Sequence, residues 1–220
     1  MKQIHYNLNT SGRDFFVGDI HGCFSLVLDK MKEVKFDHLI DRIFSVGDLV
    51  DRGKESEQVV DWLKQSFFHA VKGNHEDMLL KYFLEPSNSY MYDANGGGWF
   101  INLQKENQDK IFDIVKNLPL QITVDTSIGK VGVIHAEVPF NDWTGCSIKS
   151  SNSYVENQMI WGRSKIGSGD TTRVENIDYV VVGHTPVKNR SILGNVCYID
   201  TGAVYGNGLT FDTIENLVKV

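Results

Sequence analysis

Residues 42–53 read RIFSVGDLVDRG, in which a short apolar run stops at a glycine and continues into acidic and basic residues. Residues 14–22 (DFFVGDIHG) and 68–76 (FHAVKGNHE) repeat this order. Short apolar runs that stop at glycine are typical of buried strands. Apolar residues at helical spacing predict helices over Ser25 to Val34 and Ser56 to Phe67, between these strands. The order strand, helix, strand, helix, strand predicts an N-terminal βαβαβ unit and an α/β fold.

The rest of the chain continues this mixture and becomes rich in strands. Further helices are predicted over Glu76 to Leu84 and Gln108 to Leu118, with a turn at Gly96 to Trp99. The polar stretch Ser147 to Asp170 is predicted to be a loop with a short helix near Val155 to Trp161. The predicted later strands are Leu120 to Val124, Val131 to Ile134, Tyr179 to Val182, Val196 to Ile199 and Leu209 to Phe211. Because no repeat or low-complexity linker divides the chain, residues 1–220 are expected to form a single catalytic domain.

Composition indicates a soluble, intracellular protein. The chain has 220 residues, of which 41% are hydrophobic and 23% charged, the usual mixture of a globular protein. No apolar run approaches the roughly 18 residues of a membrane helix, and residues 1–13 lack the apolar core of a secretory signal. Cys23, Cys146 and Cys197 cannot all pair, which favours a reducing compartment. We therefore expect a cytoplasmic protein, either bacterial or phage-encoded in a host cytosol, with no membrane partner.

The net charge of −6 bears on the partners. A nucleic-acid surface normally carries a basic stripe, which this sequence lacks, so no nucleic-acid partner is expected. No GxxxxGK[ST] motif for nucleotide phosphates occurs either. An acidic chain that binds phosphates needs positive charge from another source, and metal ions supply it.

Metal-ligand residue types follow the predicted strands. In an α/β sheet, ligands bind at the carboxyl ends of the strands, so residues that follow several strands are expected to face one crevice. Taken singly, each of these residues has an ordinary explanation as a turn, a cap or a core histidine. Together they make a strong signal: Asp19, His21, Asp48, Asn74, His135 and His184. His5, His38 and His69 lack this context and are expected to be structural.

The residue types define the kind of metal site. Imidazole and carboxylate ligands suit manganese, iron, zinc or nickel. Six ligands are too many for one catalytic zinc, which keeps about three protein ligands. They are enough for two ions that share a carboxylate. Asp48 is the natural bridging ligand, because its strand lies between those of the other ligands.

Three segments, Gly18 to Gly22, Gly47 to Gly53 and Gly73 to Glu76, resemble the signature blocks of the metallophosphoesterase superfamily. The chain is most similar to its serine/threonine phosphoprotein phosphatase family, of the bacteriophage lambda type and its bacterial relatives. The resemblance covers about Phe16 to Leu209 and implies a β-sandwich of mixed sheets flanked by helices. A departure is Glu137, where the lambda-type pattern usually has Asp. Further matching segments are His135, Gly183 to Pro186, Gly96 to Trp99, Trp161 to Arg163 and Tyr198 to Val204.

The resemblance implies a role for each ligand. Asp19 and His21 would hold the first metal ion, and Asp48 would bridge the two ions. The second ion would be held by the remaining three ligands, Asn74, His135 and His184. Two divalent ions are therefore expected as cofactors, with manganese as the family-based choice and iron, zinc or nickel as alternatives.

The resemblance also implies the chemistry. Arg52 and Arg163 would clamp the phosphoryl oxygens. His75, oriented by Asp51, would protonate the leaving oxygen. A hydroxide that bridges the two metals would attack phosphorus directly, without a phosphoenzyme. The sequence also lacks a CxxxxxR nucleophile loop.

The expected function is a metal-dependent phosphoprotein phosphatase for phosphoserine and phosphothreonine, with phosphotyrosine and phosphohistidine as further substrates. Its partners would be phosphorylated proteins or peptides, and small aryl phosphates in vitro. Specificity would come from the Ser147 to Asp170 loop and the Tyr90 to Trp99 stretch.

Two alternatives stay open. One is a dinucleoside polyphosphate hydrolase on the same scaffold. In the symmetrical tetraphosphatases of the family the Asp51 position is usually not Asp, so Asp51 favours a monoester phosphatase. The other is a non-catalytic, metal-stabilised binding protein, which predicts at least one missing ligand or clamp. Oligomeric state is not determined by the sequence.

Overall fold

Two mixed β-sheets pack face to face, and helices cover their outer faces. The computed structural model describes residues 3–145 and 153–219. The strands are β1 Gln3–Tyr6, β2 Asp14–Val17, β3 Arg42–Ser45, β4 Phe68–Ala70, β5 Gln121–Thr126, β6 Gly129–Ile134, β7 Tyr179–Val182, β8 Ser191–Leu193, β9 Val196–Tyr198 and β10 Phe211–Thr213. One sheet has the order β10-β2-β3-β4 and the other the order β1-β5-β6-β7-β9-β8. This arrangement confirms the predicted α/β sandwich of mixed sheets.

Most helices lie on the outer face of the four-stranded sheet. The α-helices are α1 Phe24–Glu33, α2 Val59–Leu63, α3 Asn74–Leu84, α4 Ser89–Tyr92, α5 Gly98–Ile101, α6 Lys105–Val115, α7 Ser153–Trp161, α8 Ser164–Ser168 and α9 Ile214–Leu217. Helix α1 packs on this sheet through Val27 and Met31, and helix α6 belongs to the same core through Ile111 and Val115. Within the described residues, no helix has the length and apolarity needed to cross a membrane.

Both faces of the central strands are buried, which explains their continuous apolar sequences. In β2, Phe15 and Val17 face the helices, whereas Phe16 faces the six-stranded sheet. Ile43 and Phe44 of β3 divide in the same way. Alternate residues of a strand point to opposite faces, so a strand covered on both sides needs apolar residues throughout.

The strand directions bring the polar segments together. Strands β2, β3 and β4 are parallel and in register, so their carboxyl ends lie at one edge. Strands β6 and β7 are also parallel, and the Gly183 N–H after β7 donates to the carbonyl of His135 after β6. The His135 Nδ1 atom lies 2.7 Å from the carbonyl oxygen of Val46, after β3, which joins the ends of the two sheets.

The predicted turn at Gly96 to Trp99 is confirmed at Gly96, where the backbone is not helical and the chain kinks. The flanking residues are helical, in the segment Asp93–Gly97 and in α5. Gly96 has φ of 99° and its carbonyl accepts the N–H of Arg52, at 3.3 Å. A Cβ atom at Gly96 would lie 2.7 Å from that nitrogen, so glycine here allows the helical segment to touch the Arg52 loop.

Other boundaries also differ from the predictions. Helix α3 begins at Asn74 rather than Glu76, and the predicted helix 56–67 is a 3₁₀ turn at Ser56–Gln58 followed by the short α2. Strands β1 and β8 were not predicted, because each is only partly buried and gains its structure by pairing with β5 or β9. Cys23 and Cys197 are free thiols. Cys146 and residues 147–152 of the predicted loop lie outside the described residues, and the remainder of that loop contains α7 and α8.

Asp41 connects the starts of strands β2 and β3. Its carboxylate is buried and accepts the Arg13 backbone N–H at 2.7 Å, the Arg13 Nη2 at 2.6 Å and the Asp37 N–H at 3.0 Å. Burial acts to raise the pKa of Asp41, but the hydrogen bonds from Arg13 and Asp37 hold that pKa below its usual value. A depressed pKa stabilises the folded state above the unfolded-state pKa, and this stabilisation is lost as the pH falls through the folded-state pKa.

We expect Asp41→Asn to lower the free energy of unfolding by about 1–3 kcal/mol at pH 7, because an amide accepts these hydrogen bonds more weakly. The difference from the unsubstituted protein should shrink below about pH 4, where the carboxylates protonate. Urea unfolding of both proteins, at pH 7 and below about pH 4, measures this difference in the free energy of unfolding. Asp29→Asn, which removes an exposed i,i+3 pair with Lys32, is the matched control and should cost under about 0.5 kcal/mol. Equal losses in the two variants would contradict the role of Asp41.

Candidate active site

The Asp48 carboxylate lies at the centre of the polar cluster. Its Oδ2 atom is 3.6 Å from His21 Nε2 and 3.9 Å from His75 Nε2, and its Oδ1 atom is 3.4 Å from His135 Nε2. The backbone N–H of His75 donates to Asp48 Oδ1 at 3.0 Å. Each oxygen of Asp48 therefore faces a different set of imidazoles.

Two groups of ligand atoms meet at Asp48. One consists of His21, Asp48 and His75, and the other of Asp48, His135 and His184. Within each group the ligand atoms lie within 4.8 Å of one another, and all of these residues are buried. The structure thus contains two places of a size suitable for a metal ion, with one carboxylate in common.

Asn74 and Asp19 complete the predicted set of six. The Asn74 Oδ1 atom lies 2.9 Å from His135 Nε2 and 2.8 Å from His184 Nδ1, so it belongs to the second group. The Asp19 carboxylate accepts the backbone N–H of His184, with distances of 3.2 and 3.1 Å to its two oxygens. The six residues predicted as ligands thus lie in one region, where Asp19 belongs to neither group of ligand atoms and meets the backbone of His184.

Histidine tautomers support metal binding. The His21 Nδ1 atom lies 3.0 Å from the carbonyl oxygen of Val50, and the His135 Nδ1 atom lies 2.7 Å from that of Val46. A carbonyl only accepts, so both Nδ1 atoms carry the proton, and Nε2 is the ring nitrogen that each histidine turns toward the cluster. Imidazoles that ligate metals usually donate their other N–H in this way.

Burial sets the charge of these groups. It lowers the pKa of His21 to about 3 and that of His184 to about 3, so both imidazoles are neutral. Burial, together with the nearby Asp200 and Asp48 carboxylates, raises the pKa of Asp19 well above its usual value. Neutral imidazoles and crowded carboxylates are the donor set that a divalent cation stabilises.

Asp48 and His135 act on each other. Burial works against ionisation of both groups, but the His135 and His75 imidazoles lower the pKa of Asp48 well below its usual value. The Asp48 carboxylate in turn outweighs burial at His135 and raises the pKa of that imidazole. Asp48 is therefore held in its ionised form, which is the form that a bridging metal ligand needs.

Five residues of the site have left-handed backbone conformations. The φ angles are 45° at His21, 48° at Asp48, 70° at Asp51, 68° at Arg52 and 66° at His184. Non-glycine residues rarely adopt such angles, and those that do are concentrated at functional sites. The turns after the strands thus aim these side chains inward at a conformational cost that the packed sandwich sustains.

Glu76 holds the Asp48 loop, a role that the sequence analysis did not assign. Its buried carboxylate accepts the N–H groups of Gly73 at 2.8 Å, Asp48 at 3.0 Å and Leu49 at 2.8 Å. Burial, with Asp48 nearby, raises the pKa of Glu76 to about 7. The spacing from Gly73 to Glu76 is that of a capping box, which was the available signal.

Asp51 orients His75, as the resemblance implies. The His75 Nδ1 atom donates to Asp51 Oδ2 at 2.7 Å. The Tyr92 hydroxyl at 3.0 Å and the Trp99 indole N–H at 2.7 Å both donate to Asp51 Oδ1. Tyr92 and Trp99 lie in the stretch predicted to give specificity, and here they fix the carboxylate that holds His75.

One arginine flanks each group of ligands. Arg52 Nη1 lies 2.6 Å from His21 Nε2, and Arg163 Nε lies 3.1 Å from His184 Nε2. Arg163 directly precedes α8, whose first N–H, that of Ser164, donates to the Glu137 carboxylate at 2.9 Å. Glu137, the departure from the lambda-type pattern, therefore fixes the segment that carries Arg163 and touches none of the six ligands' side chains in the hydrogen bonds described.

Asp200 is a second residue without a predicted role. Its carboxylate is buried and accepts the Gly202 N–H at 2.9 Å. Burial, with Asp48 nearby, raises the pKa of Asp200. Its segment was part of the resemblance, but no ligand spacing distinguished it.

The three histidines expected to be structural lie apart from this cluster. His5 pairs with Asp125 at the surface, 3.0 Å away. His38 packs against Phe67, and His69 lies 3.0 Å from the Tyr6 hydroxyl.

A model of the calcineurin-like phosphoesterase family matches residues 15–188. The chain belongs to this family. It is a phosphoesterase whose family uses divalent metals, and its buried histidines and aspartates form groups that can hold them.

Relatives of this phosphoesterase include two kinds of enzyme. It is 35% identical over 202 residues to serine/threonine-protein phosphatase 1 of Salmonella typhimurium, with 90% of each chain covered. It is 33% identical over 205 residues to serine/threonine-protein phosphatase 2 of Escherichia coli, with 90% of this chain and 91% of that one covered. It is 30% identical over 220 residues to the asymmetrical bis(5'-nucleosyl)-tetraphosphatase of Anoxybacillus flavithermus, with 88% and 87% covered.

A solved structure shares the fold of this phosphoesterase. It is that of a candidate diadenosine tetraphosphatase, with a TM-score of 0.68, 22% identity and coverage of 97% of this chain and 94% of that one. At this identity the likeness concerns the fold alone.

We expect chelator-stripped phosphoesterase to be stabilised by Mn²⁺, by about 2.7 kcal/mol at a concentration 100 times the Kd. Asp48→Asn should lose most of this gain, because Asp48 serves both ligand groups. Thermal unfolding with and without Mn²⁺, together with metal analysis, measures the effect. His5→Asn, at an exposed imidazole outside the site, is the control and should keep the full response. Two tightly bound ions in Asp48→Asn would contradict the shared role.

Proposed function

We propose that this phosphoesterase is a phosphoprotein phosphatase that hydrolyses phosphoserine and phosphothreonine monoesters, with phosphotyrosine and phosphohistidine as further substrates. The observation that carries the proposal is the buried Asp51–His75 pair, 2.7 Å apart and directed at Asp48. A seryl or threonyl oxygen leaves only with a proton, and this pair is placed to deliver one. Likeness to bacterial serine/threonine phosphatases along 90% of the chain supports the proposal.

The ligand assignment is part of the proposal. Asp19 and His21 would hold one divalent ion, and Asn74, His135 and His184 the other, with Asp48 shared. When bound, the two ions supply positive charge and an activated water to an otherwise acidic chain. Manganese is the proposed metal; the donor set also suits iron, zinc and nickel.

Arg52 and Arg163 would bind the phosphoryl oxygens. Their guanidinium groups lie beside His21 and His184, so one donor fork is available at each side of the cluster. Bidentate hydrogen bonds from arginine stabilise charge that spreads over phosphoryl oxygens in the transition state. The Arg52 guanidinium also lies 5.9 Å from the Tyr205 ring centroid, which limits its orientation.

His75 would act as the general acid. Its Nδ1–H is committed to Asp51, so its Nε2 atom is the one that can carry a proton to the leaving oxygen. The Asp51 carboxylate fixes the orientation of the imidazole, and Tyr92 and Trp99 hold that carboxylate in place. His75 is also within the first ligand group, so a role as a metal ligand must be distinguished from a role as an acid.

His75→Asn should lower kcat on a phosphoserine peptide by about 10²-fold or more, because the leaving oxygen receives no proton. On p-nitrophenyl phosphate the loss should be under about tenfold, since nitrophenolate leaves without one. The two rates are compared on Mn²⁺-loaded enzyme after measurement of bound metal, with Asp51→Asn as a companion variant. Equal losses on both substrates, or loss of one metal ion, would discredit the acid role and favour a ligand.

A second candidate function is hydrolysis of dinucleoside polyphosphates. The asymmetrical tetraphosphatase relatives support it, at 30% identity over most of the chain. The identity of Asp51 argues only against the symmetrical tetraphosphatases. It therefore does not separate a phosphoprotein phosphatase from an asymmetrical tetraphosphatase.

Substrate competition tests the proposal. We expect kcat/KM for a phosphoserine peptide to exceed that for diadenosine tetraphosphate by at least about tenfold, a difference of about 1.4 kcal/mol in transition-state binding. The measurement uses stripped enzyme reloaded with Mn²⁺, Fe²⁺, Zn²⁺ or Ni²⁺, with p-nitrophenyl phosphate as a check of site integrity. The reverse preference would establish the tetraphosphatase function, and no turnover of any substrate would favour a non-catalytic binding protein.

A further inference from the structure

A basic groove lies between the open edges of the two sheets. It has a volume of about 560 Å³ and runs between the turn before β8 and strand β10. Both strands are edge strands of their sheets. The charged residues that line it are Lys30, Lys188, Arg190, Lys219 and Asp212.

The groove concentrates positive charge on an acidic protein. Four cations line it against a single carboxylate, whereas the whole chain has a net charge of −6. The one lining carboxylate, Asp212, is paired with Arg190 at 3.1 Å. Within residues 3–145 and 153–219, neither Lys188 nor Lys219 has an ion-pair partner, and Lys188 is exposed. The Lys188 charge is therefore available to a ligand, whereas the Lys219 charge also acts on the Glu215 carboxylate.

Two lining segments of the groove continue directly into, or hydrogen-bond to, segments of the active site. Thr201, which lines the groove, directly follows the buried Asp200. The carbonyl of Thr210, also in the lining, accepts the N–H of Gly18 at 3.2 Å, and Gly18 directly precedes Asp19. From Thr210 the chain continues into β10, which is antiparallel to β2 and so leads away from the site. A ligand in the groove would thus extend outward from the cluster of metal ligands.

We propose that the basic groove binds an acidic, extended segment of a phosphoprotein substrate, next to the phosphorylated residue. This inference rests on the proposed phosphoprotein phosphatase function. An edge strand offers unpaired backbone groups to an extended peptide, and lysines on the rim attract its carboxylates. Among the described residues that line the groove, Phe211 is the only aromatic one and is buried, so this lining offers a nucleobase no exposed ring to stack on. The groove therefore favours a peptide over a nucleotide.

The experiment compares phosphoserine peptides that differ only in flanking residues. One pair carries four glutamates or four glutamines after the phosphoserine, and a second pair carries them before it. With Mn²⁺-loaded enzyme at low salt, the glutamate form of at least one pair should have a kcat/KM about five- to tenfold higher than its glutamine form. Sodium chloride at about 0.5 M should abolish this preference, because it screens the lysine charges.

Lys188→Glu should abolish or reverse the preference for the glutamate peptide over the glutamine peptide. It should leave turnover of p-nitrophenyl phosphate unchanged. Lys188→Gln should have an intermediate effect. Lys64→Glu is the matched control, because Lys64 is an exposed lysine that ends α2 and does not line the groove. Its preference for glutamate should equal that of the unsubstituted enzyme.

A binding measurement separates the groove from the proposed function. Fluorescence anisotropy follows a labelled, unphosphorylated glutamate peptide, whose binding Lys188→Glu should weaken by about five- to tenfold. If this holds but no phosphopeptide is hydrolysed, the groove stands and the proposed function fails. If phosphopeptides are hydrolysed without regard to their flanks and the labelled peptide does not bind, the groove proposal is overturned alone. It is also overturned if Lys188→Glu impairs only turnover of diadenosine tetraphosphate.

Discussion

Several carboxylates are buried together at one end of the sandwich, and their repulsion is the constraint on which the site depends. Asp19, Asp48, Glu76 and Asp200 are each at most 3% exposed. Backbone N–H groups stabilise Glu76, Asp200 and Asp19, and imidazoles surround Asp48. Burial keeps the His21 and His184 imidazoles neutral, so these two histidines do not supply the missing positive charge. Two divalent ions would supply that positive charge, so this cluster of buried carboxylates fits metal binding.

The same constraint explains the backbone at the strand ends. Carboxylates and imidazoles can converge only if the chain turns sharply after each strand, and five site residues adopt left-handed conformations to do so. Such conformations cost roughly 1–2 kcal/mol each for residues other than glycine. Packing of two sheets against each other, with Phe16 and Phe44 fully buried between them, holds the turns in place. The rigid sandwich is therefore what positions the chemistry.

Much of this arrangement could be predicted from local sequence. Strand β2 was predicted at its observed bounds, because a run buried on both faces is apolar throughout. That the six predicted ligands lie in one region could be expected, since each follows a strand. Strands β1 and β8 could not, because half-buried edge strands carry no distinct pattern. The contacts of Tyr92 and Trp99 with Asp51 were also missed, since they join residues more than 40 positions apart.

By itself, the sequence determined the kind of chemistry: an α/β protein whose glycine-ended strands deliver carboxylates and imidazoles suited to two metal ions. Those properties are local, because strand burial and ligand type are written in adjacent residues. Only the tertiary structure decided that Asp19 turns toward His184, that Glu76 ties the Asp48 loop to α3, and that lysines from distant segments line one groove. Such contacts depend on how the sheets pack, and packing is a property of the whole chain.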